Sequence, residues 1–329
     1  MRRIGGVGGL GALWVIAALM LWPQPAHAGG IGYSAGAGIE FATGKYGTGV
    51  TTDSLFMPFT VIAYPTGRLD FSLEIPYVRQ STRTVVTGQY AGMQAQTAGA
   101  GSGMAGMGGS MGFSDLFLSA LTKGANGSRY GLGATDSRAS HALNTGMAAM
   151  GGPMGASGLP ASSEAAGDTA DGLGDIRLRA GYVLYTEERY VPGIRPSVSV
   201  KIPTADKDKL LGTGALDGGF AVELYKWFGA WFADGEAGYT VQGNSTVVAT
   251  RNYMSYYAGL GYQLTDNLRA MALLKGATPT VEDGPSFLEG RLRMKYRMTR
   301  NAGLDGYLSK GINEASPDYG MGLSVFYDF

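Results

Sequence analysis

Charged side chains recur at every second position near the end of the chain, and this spacing is the most informative chemical pattern in the sequence. The ionic residues of this segment are Glu289, Arg291, Arg293, Lys295 and Arg297. Leu288, Leu292, Met294 and Tyr296 stand between them. Successive side chains of a β-strand point to opposite faces, so the ionic groups would share one face. Such a face requires water or counter-charges, which the polar interior of a barrel supplies.

The same alternation places charged residues on one face of several other predicted strands. The full set predicted to line an interior is Asp70, Glu74, Arg177, Arg179, Arg195, Lys201, Glu223, Asp234, Glu236, Glu289, Arg291, Arg293, Lys295 and Arg297. Because the set contains both positive and negative side chains, two interpretations stay open. The residues could line a pore, or they could fill a closed barrel with salt-bridged networks.

Candidate catalytic residues are few. His27 falls in a predicted leader, so His141 is the only histidine of the predicted mature chain. A serine hydrolase needs its histidine near a serine and an orienting acid on a rigid element. Ser140-His141 lies instead in a low-complexity stretch. With no cysteine in the chain, histidine and cysteine metal sites are excluded by count. We therefore expect no enzyme activity, no cofactor and no metal.

Residues 86–171 interrupt the alternating pattern with glycine, alanine, serine and methionine. The Gly-rich run at 99–103 lacks the Lys-Ser/Thr ending and following helix of a phosphate-binding loop. The methionines could offer thioethers to Cu(I), but adaptable or plug-like packing is the better explanation. Residues 112–118 alternate and could form an extra strand. We interpret 86–171 as a low-complexity outer loop or an internal plug.

Bulk composition points away from nucleic acid and towards strands and turns. Lys and Arg number 26, as do Asp and Glu, so the formal net charge is zero. Neither nucleic acid nor an acidic substrate is implied by this balance. The 55 glycines, with 11% aromatic and 16% charged residues, fit strands and turns better than helices. Without cysteine there are no disulfides.

The alternation predicts an all-β fold, a transmembrane antiparallel β-barrel of about twelve strands with one long Gly/Met/Ala-rich insert. The predicted strands cover residues 31–42, 55–64, 69–77, 175–184, 195–202, 219–226, 233–241, 253–262, 268–276, 287–296, 303–309 and 319–329. Short and long connections alternate between them, as periplasmic turns and outer loops do. In the last segment, 319–329, apolar and small or polar residues alternate up to Phe329, which resembles the terminal signal of bacterial outer-membrane barrels.

The first 28 residues predict a secretory signal peptide. Arg2 and Arg3 precede an apolar run over 4–21, and Ala26-His27-Ala28 provides a small-x-small cleavage site. A retained anchor helix is the alternative, but five glycines dilute the run and two prolines close it. We expect cleavage near Ala28 and a barrel over 29–329 in the outer membrane of a Gram-negative bacterium.

Three motifs carry a resemblance to a known family. Gly172-Leu173-Gly174-Asp175-Ile176 opens a strand, P-S-V-S-V-K-I-P-T-A-D-K-D-K-L-L-G-T-G covers 196–214, and Trp227-Phe228-Gly229 follows. Together they resemble the bacterial outer-membrane family associated with the meta-pathway of phenol degradation. The resemblance covers 55–85 and 172–329 and is strongest at 172–241. It implies an outer-membrane barrel that admits aromatic or other hydrophobic compounds. No catalytic residue comes with it.

We therefore expect passive transport of small hydrophobic or aromatic molecules, a substrate class that rests on the resemblance. The alternative is a structural or adhesive surface protein whose closed barrel displays 86–171. The expected partners are outer-membrane lipid and a small hydrophobic solute, with no nucleic acid. The sequence leaves the oligomeric state open.

Overall fold

The computed structural model describes residues 32–46, 51–82, 169–247, 249–281 and 284–329. Its strands are Gly32–Gly44 (β1), Thr52–Tyr64 (β2), Leu69–Gln80 (β3), Ala170–Leu173 (β4), Ile176–Tyr182 (β5), Gly193–Ile202 (β6), Asp217–Phe228 (β7), Trp231–Val241 (β8), Tyr253–Thr265 (β9), Leu268–Ala277 (β10), Phe287–Arg297 (β11), Ala302–Gly311 (β12) and Tyr319–Asp328 (β13). The predicted strands all appear among these. The predicted leader and most of 86–171 lie outside the described residues.

The strands close into a barrel because the first one pairs with the last. β1 pairs antiparallel with β13, with Ser34 opposite Asp328 and Thr43 opposite Tyr319. β1 also pairs with β2, and β2 with β3; β3 pairs with both β4 and β5, and from β5 onward each strand pairs with the next, which completes the ring. Every described strand except β4 thus has a partner on both edges, which satisfies backbone groups that would otherwise face an apolar solvent.

Two of the thirteen described strands form one strand of the wall. Both β4 and β5 pair with β3. Ala170 faces inward on β4, whereas the inward residues of β5 have odd numbers. The inward positions change from even to odd numbers at Gly174 and Asp175, which are both buried. This change requires one extra residue, as in a β-bulge. The described wall therefore has twelve strands, which confirms the predicted fold class.

Connections at one end of the barrel are mostly short, and those at the other are longer. The tightest is the two-residue turn between Phe228 and Trp231, which pair with each other. Its first residue, Gly229, has a φ of 65°, a value that tight hairpins require and that glycine adopts without strain. The sequence predicted strands over 219–226 and 233–241, whereas β7 continues to Phe228 and β8 begins at Trp231.

Apolar side chains cover the outer surface of the wall. Large exposed residues occur on nearly every strand; Leu292 and Leu308, for example, are 65% and 62% exposed. Leaving so many in water would be unfavourable, whereas a lipid bilayer accommodates them. No helix in the described ranges is long and apolar enough to cross a membrane.

Aromatic residues at the short-turn end fall into two groups. Trp231 and Tyr262 point outward, with ring centroids 4.9 Å apart, and Tyr296 is also exposed. They sit where a membrane interface is expected. Trp227, at the same end, packs instead on buried Phe232 with centroids 4.8 Å apart. It lies on the inward face because it pairs directly with Phe232 across the hairpin.

Candidate functional site in the barrel interior

The barrel interior is the candidate site because the strands direct nearly all their charged residues into it. Of the fourteen residues that the sequence predicted to line it, thirteen are buried. Arg297 is half-buried and donates to the side chain of Asn267 and the carbonyl of Asp266. It therefore lies at the rim, on the turn between β9 and β10.

Arg195 of β6 is the centre of one buried ionic cluster. Its Nε and Nη2 donate to the two carboxylate oxygens of Asp70 at 3.0 and 2.6 Å. Its Nη1 donates to Glu223 at 3.2 Å. Asp70 is on β3, so the guanidinium crosses over β5 to reach it. One cation thus ties three strands together through a bidentate pair and a second carboxylate.

A second pair spans a larger part of the interior. Arg179 of β5 donates to Glu236 of β8 at 3.0 Å and to Ser197 at 2.6 Å. β6 and β7 separate β5 from β8 in the wall, so this pair crosses the interior. Lys275 of β10 interacts electrostatically with Glu236 and, on the other side, with Glu40 of β1. Opposite charges therefore meet across the middle of the barrel.

A third cluster uses the alternating cations of β11. Arg293 donates to Asp305 at 2.9 Å, and Lys295 lies 3.4 Å from the same carboxylate. Arg291 pairs with Glu289 and stacks on Tyr307, 4.5 Å from the ring centroid. Tyr307 in turn donates to Glu40. The charged face that the sequence predicted is thus neutralised within the protein.

A fourth ionic cluster holds the long connection between β6 and β7. Lys201 Nζ lies 3.2 Å from Asp175 and 2.8 Å from Asp217, and it donates to Thr213 at 2.6 Å. The backbone of Ala205 donates to Asp175. These contacts join both ends of the 203–216 loop to the inner wall.

The 203–216 loop folds into the barrel mouth. Ala205 and Leu211 belong to one apolar cluster with Phe56 and Val78, which point inward from β2 and β3. A Cβ on Gly172 of β4 would come within 3.1 Å of Leu211, which places the loop over that strand as well. In the connection after β1, Tyr46 is 2% exposed, and burial raises the pKa of its phenol. The loop therefore narrows the long-loop end of the interior and adds apolar side chains to it.

The inner wall of β2 and β3 differs from the rest of the interior. It mixes apolar side chains, with Phe56 and Ile62 fully buried, with polar ones such as Thr60, Ser72 and Glu74. Glu74 faces Thr60 across the strand pair. Among the residues described, neither oxygen of the Glu74 carboxylate nor the Thr60 hydroxyl has a hydrogen-bond partner. Arg177 and Lys275 compensate the charge of Glu74 electrostatically. This wall combines apolar side chains with polar groups that have free hydrogen-bonding capacity.

Sequence reasoning missed several buried ionic residues of the same network. They are Glu40, Asp175, Asp217, Arg269, Lys275 and Asp305. Lys275 and Asp305 stand at inward positions of predicted strands and could have been found by extending the same alternation. Glu40 is harder to detect because glycines surround it in β1 and weaken the pattern.

The ionic network excludes water from the middle of the barrel. Arg195 and Glu223 are 0% exposed, as are Lys295 and Glu289. Side chains that lined a water-filled channel would retain accessible surface. Buried pairs of this kind are stable only when each charge has its partner in place. The described residues contain no cluster of three or more possible metal ligands. The arrangement suits selective passage or closure.

A family profile described as "Putative MetA-pathway of phenol degradation" matches residues 121–329. This is more than half of the chain of 329 residues. The chain belongs to this family. The match confirms the resemblance, but it begins inside the segment that we treated as an insert. The second part of 86–171 is therefore included in the family pattern.

Comparison with solved structures gives a match with a TM-score above 0.5. An outer membrane channel from Pseudomonas putida F1 has a TM-score of 0.54 and 13% identity, and the alignment covers 94% of this chain and 100% of that one. The KdgM porin bound to disordered oligogalacturonate gives 0.46 and 7%, covering 90% and 99%. The P. putida toluene transporter TodX gives 0.38 and 8%, covering 92% and 90%. The first comparison supports the outer-membrane barrel fold, and the other two carry no argument. No curated protein sequence matches the chain.

Proposed function

We propose that this family member is an outer-membrane barrel for the passive transport of small hydrophobic or aromatic compounds. The observation that carries the proposal is the inner wall of β2 and β3. There Phe56 and Ile62 offer apolar contact, while Glu74 and Thr60 have unused hydrogen-bonding capacity. A phenolic hydroxyl could donate to the Glu74 carboxylate while its ring contacts the apolar side chains.

Three further features support this route over a general aqueous pore. The ionic groups of the middle layer are paired, so hydrated ions find no continuous polar path. The 203–216 loop narrows the long-loop mouth with apolar side chains that pack on Phe56 of the same wall. The family description refers to phenol degradation, and the uptake of an aromatic compound must precede its breakdown.

The location and the start of the mature chain follow from the same proposal. The apolar outer surface and the closed ring of strands suit the outer membrane of a Gram-negative bacterium. Residues 1–28 would direct export and be removed near Ala28, which leaves 29–329 as the barrel-forming chain. Edman sequencing of the protein purified from outer membranes would identify the first residue.

The first test measures uptake in cells. A porin-deficient strain would produce the protein or its variants, and the uptake of labelled phenol and labelled toluene would be compared. We expect Glu74→Gln and Thr60→Val to lower phenol uptake more than toluene uptake, because only phenol carries a hydroxyl. Ser72→Ala, on the same inner wall, is the matched control. Equal uptake with and without the protein would contradict the proposal.

A second test measures single-channel conductance in planar bilayers, with and without residues 90–165. Discrete current steps that enlarge on deletion would establish a pore narrowed by this segment. If neither protein conducts nor takes up aromatic compounds, while its folding is verified by heat modifiability, the barrel is a display scaffold. In that case deletion of 90–165 would abolish the surface phenotype.

A further inference from the structure

The lipid-facing surface carries an apolar hollow over β9–β13. Its volume is about 790 Å³, within the range of small-molecule sites. It exists because small residues lie between large ones on the outward face. Ala258, Ala272 and Gly290 form its floor, and Leu260, Leu274 and Leu292 form ridges around it. The register aligns these residues in two rows across the strands.

One cation stands at the end of this hollow. Lys310 of β12 lies opposite Gly290, and its Nζ is 4.1 Å from the centroid of the Tyr319 ring. Lys310 is exposed, and none of the described carboxylates forms an ion pair with it. A lysine beside a tyrosine at the edge of an apolar surface suits an anionic headgroup whose acyl chains lie along that surface.

The position of Lys310 along the barrel identifies the membrane leaflet. β12 and β13 are joined at that end by the connection 312–318, which is longer than all but one of the described turns at the other end. In outer-membrane barrels the longer loops face outside. Lys310 therefore lies at the level of the outer leaflet, whose phosphorylated glycolipid is lipopolysaccharide.

A second exposed cation occupies the same end of the wall. Arg251 precedes β9 and lines a hollow of about 470 Å³ together with Tyr239 and Met254. Three strand spacings separate β9 from β12, roughly 14 Å. Two cations, each near a tyrosine and above apolar wall, match a headgroup that carries more than one phosphate.

We propose that the outer surface of β9–β13 is a specific lipopolysaccharide site. Lys310 would contact a phosphate of the headgroup, and an acyl chain would occupy the hollow above Gly290. The site is independent of any solute route through the interior, so either function can fail without the other.

The test uses the full protein in detergent and deep-rough lipopolysaccharide as the probe, with binding measured by native mass spectrometry. We expect Lys310→Gln to weaken binding about tenfold, as the loss of one charge-assisted contact would. Gly290→Leu should weaken it as well by filling the hollow, because a Cβ there meets only Leu274, at 4.0 Å. Two controls should bind normally: Lys207→Gln, an exposed loop cation, and Gly218→Leu, which has no atom within 4 Å of its new Cβ.

Three results would overturn the proposal. Lys310→Gln could bind like the unmodified protein, and this variant is informative even if Gly290→Leu does not fold. Phosphatidylglycerol could bind as tightly as lipopolysaccharide and depend equally on Lys310, which would indicate a general anionic-lipid surface. Finally, chemical cross-linking could show a dimer that Gly290→Leu disrupts, so that the hollow holds a second copy of the chain.

Discussion

Arg195 reaches Asp70 by passing directly over Gly181. The guanidinium forms a bidentate pair with the Asp70 carboxylate, at 2.6 and 3.0 Å. Gly181 lies opposite Asp70 on the intervening strand. A Cβ at this position would come within 1.8 Å of Arg195 Nη2. The ion pair therefore depends on a residue that carries no charge.

Gly181→Ala should displace Arg195 and separate it from Asp70. Breaking a buried pair while leaving both charges in place costs about 3–5 kcal/mol, so the free energy of unfolding should fall by roughly that amount. Denaturant titration in lipid vesicles, followed by tryptophan fluorescence, measures the change. Gly218→Ala is the matched control, because nothing lies within 4 Å of its Cβ. An equal effect from both variants would mean that the loss of glycine in a strand, rather than the ion pair, sets the stability.

Arg179→Gln should open the middle layer to ions. The substitution removes the cation that bridges to Glu236 across the interior and leaves this carboxylate in excess. We expect larger, cation-selective conductance, measured by the reversal potential under a salt gradient. The double variant Arg179→Gln with Glu236→Gln should lose the selectivity, since the excess charge is gone. Lower stability with unchanged conductance would instead indicate a filled interior.

Lys201→Met should release the 203–216 loop. It leaves Asp175 and Asp217 as two buried carboxylates without their cation, and they would repel each other. Lys207 and Lys209 lie in this loop and are exposed, so trypsin can report its release. We expect cleavage there to accelerate at least about tenfold, because the pair contributes several kcal/mol to holding the loop closed. Lys226→Met, which removes a partly exposed pair with Glu187, should leave the rate unchanged.

Tyr307→Phe should destabilise the barrel more than a comparable change on its outer face. The hydroxyl of Tyr307 donates to buried Glu40 at 2.8 Å, and its ring forms a cation–π contact with Arg291. Removing a hydrogen bond to a buried charged group costs about 1.5–3 kcal/mol. Tyr256→Phe, on the exposed face, is expected to change the unfolding free energy by less than about 0.5 kcal/mol. Similar values for both would show that the Glu40 contact is not structural.

Much of the fold could be predicted because the information is local. Alternation with a period of two specifies which residues of a strand share a face, and it needs no knowledge of other strands. This is why β11 and its charged face were predicted from the sequence, and why the number of wall strands was confirmed. Where the local pattern is weak, prediction failed: the glycines of β1 obscured Glu40.

Only the tertiary structure decided which charges meet. Closing the sheet sets the tilt and stagger of the strands, and these determine which side chains face each other across the interior. The pairing of Arg179 with Glu236, the path of Arg195 over Gly181 and the inward packing of Leu211 all depend on this geometry. The sequence by itself determined a charged interior and an apolar exterior, because both follow from strand periodicity. Neutralisation of that interior depends on closure, which joins residues far apart in the chain.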